Sequence, residues 1–344
     1  MKAAKILKTP FYALAVATGA KSFADNPVIG SEWLNRRGLH VRRCAIADRM
    51  ARSRRARLEH LVEAEDRAAF ARDGFVVKRD FLPPDLYARA REEAFAHTAA
   101  VRHMRQGPAV TRRVTLDPID RGALPACRAA VEDPRFQGLV RYVGSHASRP
   151  LTYIQTIVVD PEKGSADPQT AIHRDTFHPI CKAWLFLQDV GEDDGPFQFV
   201  PGSHRFDARR REWEYEQSLT ASNAANRLHS RGSFRARPED LEQMGLPKPR
   251  RMAVPGNTLV VADTHAFHGR SPSAKRTVRV ELYATLRRGP FSLNLLPDPL
   301  GLPWVKERPA TILYRALDLA QRWEIKGNPW HLCTARRMDS ADID

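Results

Sequence analysis

His173 and Asp175 stand one residue apart in the stretch 171–205, AIHRDTFHPICKAWLFLQDVGEDDGPFQFVPGSHR. At the end of a strand an H-x-D pair puts an imidazole and a carboxylate on the same side, because side chains repeat with period two. Such a pair covers two corners of an octahedral metal. One further histidine, supplied from elsewhere in the fold, would complete a face that leaves three positions open, as in non-haem Fe(II) oxygenases.

The elements that must position these groups can be read from the same stretch. An apolar run at 183–187 follows the pair, then an acidic turn at 192–196, a short apolar strand at 197–200 and the loop PGSH at 201–204. The third ligand should come from a strand that returns beside the first. In 256–286, GNTLVVADTHAFHGRSPSAKRTVRVELYATL, a strand at 258–262 leads into His265 and His268, three residues apart, so only one of them can face the metal. A second strand at 278–286 begins at Arg279. A guanidinium there suits the far carboxylate of a 2-oxo acid, which it can hold through two parallel donors. Gln155 is polar within the apolar strand LTYIQTIVV at 151–159. It reads either as a contact to the cosubstrate or as a hydrogen-bonded buried glutamine. His178 and His204 read as structural.

Four segments in order, ARDGFVVKRDFLPPDLYARAREE, HRD, DDGPFQFVPGSH, and HGR with an arginine eleven residues past its histidine, resemble the phytanoyl-CoA dioxygenase family of Fe(II)/2-oxoglutarate oxygenases. The resemblance covers roughly residues 70–286. It implies an α+β chain with a mainly β core, a double-stranded β-helix of jelly-roll or cupin type with flanking helices. It implies Fe(II) as cofactor and 2-oxoglutarate as cosubstrate, with His173, Asp175 and His268 as iron ligands and Arg279 as the cosubstrate anchor. The glycine after His268 and the interval to Arg279 favour His268 over His265. One departure concerns the residue two after the distal histidine, where a small hydroxyl residue is common. Here it is Arg270, followed by Ser271, and Arg270 becomes a second candidate for the carboxylate. The activity implied is hydroxylation of a small organic substrate that the resemblance does not identify; the basic N-terminus and its short apolar segment lean towards a lipid-like or acyl one. A non-catalytic β-helix binding protein and an iron oxygenase that does not use 2-oxoglutarate are the alternatives.

At 344 residues the chain can bury one large core with an appended segment. No run approaches the roughly 20 apolar residues of a membrane span. The apolar stretch 11–20 is short and flanked by lysines, and is expected to be part of the protein, not a leader. Cys44, Cys127, Cys181 and Cys333 are scattered without a C-x-x-C, as in a reduced, cytoplasmic protein. The net charge of +15 is concentrated at the front, where residues 1–60 hold thirteen Lys/Arg against four Asp/Glu. Two readings stand: a solvated basic helix, or peripheral contact with an anionic membrane. No recognition motif accompanies the charge, so nucleic acid is not expected.

The organisation expected is a basic helical extension at 1–65, the oxygenase domain at 66–288 and a C-terminal helical cap at 289–344. A charged insertion at 205–251 interrupts the domain and reads as a lid over the site. In the segment 101–126, Arg112, Arg113 and Thr115 lie in a strand VTRRVTL; they are expected to face solvent, with one of them lining the site as the alternative.

Overall fold

The computed structural model describes residues 9–118, 122–292, 302–325 and 327–343. Among these the strands are β1 (Phe75–Lys78), β2 (Thr98–Gln106), β3 (Ala109–Thr115), β4 (Leu151–Val159), β5 (Cys181–Phe186), β6 (Phe197–Phe199), β7 (Arg250–Arg251), β8 (Thr258–Asp263), β9 (His268–Arg270), β10 (Thr277–Leu286) and β11 (His331–Arg337). Eight of them form one sheet in the order β1-β8-β5-β10-β4-β3-β2-β11, and three form a second in the order β7-β6-β9. Neighbouring strands in both sheets run antiparallel.

Period-two alternation sorts each central strand of the large sheet into two faces. Ala183 and Leu185 of β5, Leu259 and Val261 of β8, and Val280, Leu282 and Ala284 of β10 point one way and join a single apolar cluster. That cluster includes Leu58 from the helix Leu39–Leu58, Phe70 from Ala64–Asp73, and Phe136, Leu139, Val140 and Val143 from Pro134–Val143. The opposite face meets the small sheet, with Phe75 against Phe199 at 5.1 Å and Trp184 against Phe197 at 4.4 Å between ring centroids. Helices therefore cover one face of the large sheet and the small sheet covers the other, giving a double-stranded β-helix carried on helices.

The basic helix Leu39–Leu58 is built into this body. It buries Cys44, Ala47 and Ala51, and with them Arg43, Arg54 and Arg55. Buried guanidiniums need acceptors, and these have them. Arg43 donates to the carbonyls of Val16 (2.9 Å) and Ala20 (2.6 Å), Arg54 to Ser145 (2.8 Å), and Arg55 to Val143 (2.7 Å) and to the Asp263 carboxylate (2.8 Å). Part of the N-terminal charge is thus used for packing. All four cysteines are free, and no helix among the described residues is long and apolar enough to cross a membrane.

Two strands differ from the expectation. β2 lies in the stretch TAAVRHMRQ, which is polar on both faces and gives no strand signal, and β11 extends the large sheet from a region expected to be only helical. The rest of the C-terminal segment is the helix Pro309–Arg322, whose Tyr314 packs on Tyr153 of β4 at 6.1 Å. The proline-rich stretch 296–309 lies in part outside the described residues, as do residues 1–8 of the basic helical extension, in which a helix is seen over Thr9–Ala15.

Candidate metal centre

The loop after β4 and the strand β9 bring the ligand candidates together. His173 bridges to His268 through reciprocal backbone hydrogen bonds of 2.9 and 2.8 Å, so the two imidazoles emerge side by side, 4.6 Å apart at their centroids. Asp175 donates its backbone N–H to Thr264 O at 3.0 Å. Its carboxylate oxygens lie 3.9 Å from His173 Nε2 and 3.6 Å from His268 Nε2. Two donors each about 2.1 Å from one ion lie no more than about 4.2 Å apart, and both separations fall inside that limit. His265 is not part of this group. Its ring is buried on the far side, where its carbonyl accepts from Arg210 at 3.3 Å.

The ring tautomers suit a metal. His173 Nδ1 donates to Ala171 O at 2.7 Å and His268 Nδ1 donates to Ala266 O at 2.9 Å, which leaves each Nε2 with its lone pair. His268 Nε2 is buried and has no hydrogen-bond partner. Burial holds both imidazoles neutral, His173 well below its ordinary range and His268 down to about 4. Burial alone would raise the Asp175 carboxyl, but Lys182, then His268 and His173, outweigh it and hold the group well below the usual carboxylate range. A buried nitrogen that lacks a partner, beside a second neutral imidazole and an ionised carboxylate, fits a divalent cation.

In front of this group lies a cavity of about 180 Å³, lined among others by Trp184, Phe197, Tyr283, Arg270 and Arg279. The sheet register sets its floor. Arg113 of β3 faces Gln155 of β4, which faces Glu281 of β10. Arg113 Nε donates to Gln155 Oε1 (2.8 Å), Gln155 Nε2 donates to Glu281 Oε1 (2.6 Å), and Arg279 Nε donates to Glu281 Oε2 (3.0 Å). Arg279 Nη1 donates to Gly195 O at 3.0 Å, while Nη2 has no hydrogen bond among the described residues. Gly195 closes the acidic turn at φ +64°, and a Cβ there would meet Ser273 Oγ at 2.4 Å, so the turn that presents this carbonyl requires glycine. Arg270 donates to Asp167 Oδ2 at 2.7 Å and is held by it.

The family model for phytanoyl-CoA dioxygenase (PhyH) matches residues 70–279, more than half of the chain. The chain belongs to the phytanoyl-CoA dioxygenase family. No curated protein matches its sequence. Among solved structures, SnoN, an epimerase in complex with Fe3+, alpha ketoglutarate and nogalamycin RO, is 18% identical with a TM-score of 0.43, covering 82% of this chain and 96% of that one. HygX from Streptomyces hygroscopicus with nickel and 2-oxoglutarate bound is 20% identical with a TM-score of 0.39, covering 65% and 86%. EctD from S. alaskensis with bound Fe is 18% identical with a TM-score of 0.39, covering 72% and 85%. The assignment to the phytanoyl-CoA dioxygenase family rests on the family match and not on these distant likenesses.

Several residues at the site escape a reading of the chain alone. Arg113 lines the cavity instead of facing solvent, and Arg112 is buried with Nη1 on Ser340 O at 2.8 Å. Lys182 Nζ pairs with Asp175 at 2.6 Å, and Lys21, from the N-terminal extension, donates to the Asp175 backbone carbonyl. Burial brings the Lys21 amine down to about 7 against the pull of Asp175. For two residues of the site the sequence carries a signal. Lys182 is the single charge in the strand CKAWLF, and Glu281 lies two residues past Arg279, hence on the same face.

The insertion 205–251 contributes nothing to the cavity lining. Its helix Ala208–Thr220 docks behind the metal loop, where Glu214 receives the side chain of Arg174, the residue between the two ligand candidates. A second group of metal-type donors, His40, Cys44 and Glu214, sits there. Arg174 and Arg210 already occupy the Glu214 carboxylate, and burial keeps the Cys44 thiol protonated, so this cluster is a hydrogen-bond network and not a cation site.

Proposed function

We propose that this phytanoyl-CoA dioxygenase family member is an Fe(II)- and 2-oxoglutarate-dependent oxygenase that hydroxylates a small organic substrate, with His173, Asp175 and His268 holding the iron and Arg279 the distal carboxylate of 2-oxoglutarate. The observation that carries this reading is His268 Nε2, buried and without a partner beside His173 and Asp175, at the wall of a cavity that also contains Arg279.

Bound iron and 2-oxoglutarate supply the oxidation, in which the cosubstrate becomes succinate and CO2 as the substrate gains an oxygen atom. The chain's own residues bind and position. His173 and His268 offer neutral nitrogens whose orientation their Nδ1 bonds to backbone carbonyls fix. Arg279 is held on one side by Glu281 and Gly195, which leaves Nη2 for a carboxylate. Arg270 is tied to Asp167, which supports Arg279 as the anchor over Arg270. Trp184, Phe197 and Tyr283 supply apolar walls that limit water around the reacting atoms. Gln155 bridges Arg113 and Glu281 and orders the floor.

A peripheral contact of the N-terminal extension with an anionic membrane is a second proposal. Phe11, Leu14 and Trp33 are 72%, 68% and 60% exposed, and exposed Arg37, Arg42 and Arg49 accompany them.

Succinate release with Fe(II), 2-oxoglutarate and oxygen tests the main reading. His173→Ala, Asp175→Ala and His268→Ala should each abolish iron-dependent release, and His265→Ala should retain most of it. Release that needs neither metal nor His268 would overturn the assignment. Binding of both ligands without any release would instead favour a binding protein.

A further inference from the structure

The cavity holds four cationic side chains, and three of them face carboxylates. Lys182 pairs with Asp175 at 2.6 Å, Arg270 with Asp167 at 2.7 Å and Arg279 with Glu281 at 3.0 Å. The fourth, Arg113, has no carboxylate partner among the described residues. Its Nε is spent on the neutral Gln155, and its guanidinium lies between aromatic faces, 4.3 Å from the centroid of Tyr283 and 4.3 Å from that of Trp330. The Tyr314 hydroxyl is a further hydrogen-bonding neighbour. A guanidinium out of bulk water without a counter-ion is costly, and two rings in contact with it restrain its position. A restrained guanidinium at a cavity wall, with neither Nη engaged by a carboxylate, can receive a carboxylate bidentately.

From this, and resting on the oxygenase reading above, we infer that Arg113 is the substrate-carboxylate residue of the cavity: the substrate is a small carboxylic acid whose carboxylate meets Arg113 while its body lies against Tyr283 and Trp184. Arg279 serves the cosubstrate and Arg113 the substrate, and Gln155 with Glu281 separates the two positive centres on the same sheet floor. Trp330 and Tyr314 come from the C-terminal segment, beyond the residues that match the family. These two rings do not line the cavity; they hold the Arg113 side chain that does. Discrimination follows from the same chemistry: a neutral isostere leaves Arg113 unpaired on binding, so an acid should be preferred over its amide.

The experiment uses the full chain with Ni(II), which holds the site without turnover. Ni(II) and then 2-oxoglutarate are titrated first, and failure of either step counts against the oxygenase reading and not against Arg113. With both bound, butyrate and butyramide are titrated separately by ligand-observed NMR. Wild type should bind butyrate at least tenfold more tightly than butyramide. Arg113→Gln should lose that preference while 2-oxoglutarate affinity changes less than threefold, and Arg113→Lys, which keeps the charge and loses the fork, should fall between. Two results overturn the inference. One is wild type showing no preference for butyrate, including no binding of either probe. The other is Arg113→Gln losing 2-oxoglutarate and leaving butyrate unchanged, which would make Arg113 part of the cosubstrate clamp.

Discussion

Two arginine networks lie on opposite sides of the candidate metal loop, and they are built from the same parts. Behind the loop, Arg174 and Arg210 converge on Glu214, with the neutral His40 completing the group. In front of it, Arg113 and Arg279 are joined through Gln155 and Glu281. Each network has two guanidiniums, one buried carboxylate and one neutral polar side chain, so the formal charge is the same. The difference lies in which nitrogens have partners. Behind, Arg174 places Nε and Nη2 on Glu214 and Nη1 on Gly232 O, while Arg210 places Nε and Nη2 on Glu214 and Nη1 on Ser203 O. In front, Arg279 Nη2 and the Nη groups of Arg113 have no backbone or carboxylate acceptor. A network whose guanidinium donors are all engaged holds a shape, and one at a cavity wall with guanidinium nitrogens free of carboxylates has donors left for a ligand. The pKa directions agree. Burial would raise Glu214, but Arg174, then His40 and Arg210, hold it well below its ordinary range, so it stays ionised.

The largest effect should come from breaking the rear network. Glu214→Ala strands two buried guanidiniums, and such an uncompensated charge costs about 3–5 kcal/mol. Chemical denaturation should show that loss, with Glu214→Gln milder. Stability within about 0.5 kcal/mol of wild type would mean that this pairing of guanidiniums and carboxylate does not matter.

Next comes the front. Arg279→Ala should leave the cosubstrate carboxylate without its fork and weaken 2-oxoglutarate by two to three orders of magnitude, from a loss of roughly 3–4 kcal/mol. Ni(II) affinity should hardly change, Arg279→Lys should recover part of the loss, and Arg270→Ala should shift 2-oxoglutarate less than threefold. If the Arg270 variant loses the cosubstrate and the Arg279 variant does not, the anchor lies at Arg270.

The smallest effect concerns the extension that supplies His40 to the rear network. Arg43, Arg54 and Arg55 are buried and bonded, so fewer charges remain for a membrane than the chain suggests. Each basic residue near an anionic surface contributes about 1 kcal/mol. Co-sedimentation with phosphatidylserine vesicles should therefore be weak, lost at high salt, and reduced by Phe11→Ser with Trp33→Ser. Binding to neutral vesicles that ignores both salt and these substitutions would exclude this contact.

What could be read from the chain was local. β4, β5, β8 and β10 are apolar runs bounded by turn residues, and they stand where such runs place strands. The H-x-D spacing and the eleven residues from His268 to Arg279 are visible in one dimension because each pair shares a loop or lies on strands consecutive in sequence. β2 was not legible, since TAAVRHMRQ has polar residues on both faces and is a strand only by pairing with β3 and with β11, more than two hundred residues away. The insertion's charge was legible, but its direction was not: Glu214 turns inward where Arg174, Arg210 and His40 converge on it.

By itself, then, the sequence determined the family, the β-helix class, and a set of histidine, aspartate and arginine residues at chemically meaningful intervals. Tertiary structure alone decided which cations are already neutralised. Asp167 takes Arg270, Glu281 takes Arg279, and Arg113 is brought from an apparently exposed strand to the cavity wall by its register with Gln155 and by the aromatic rings of a segment near the C-terminus. The reason is physical. Spacing along a chain specifies which side chains share a face, whereas the pairing of a buried charge depends on partners from elements distant in sequence, and only the fold sets those distances.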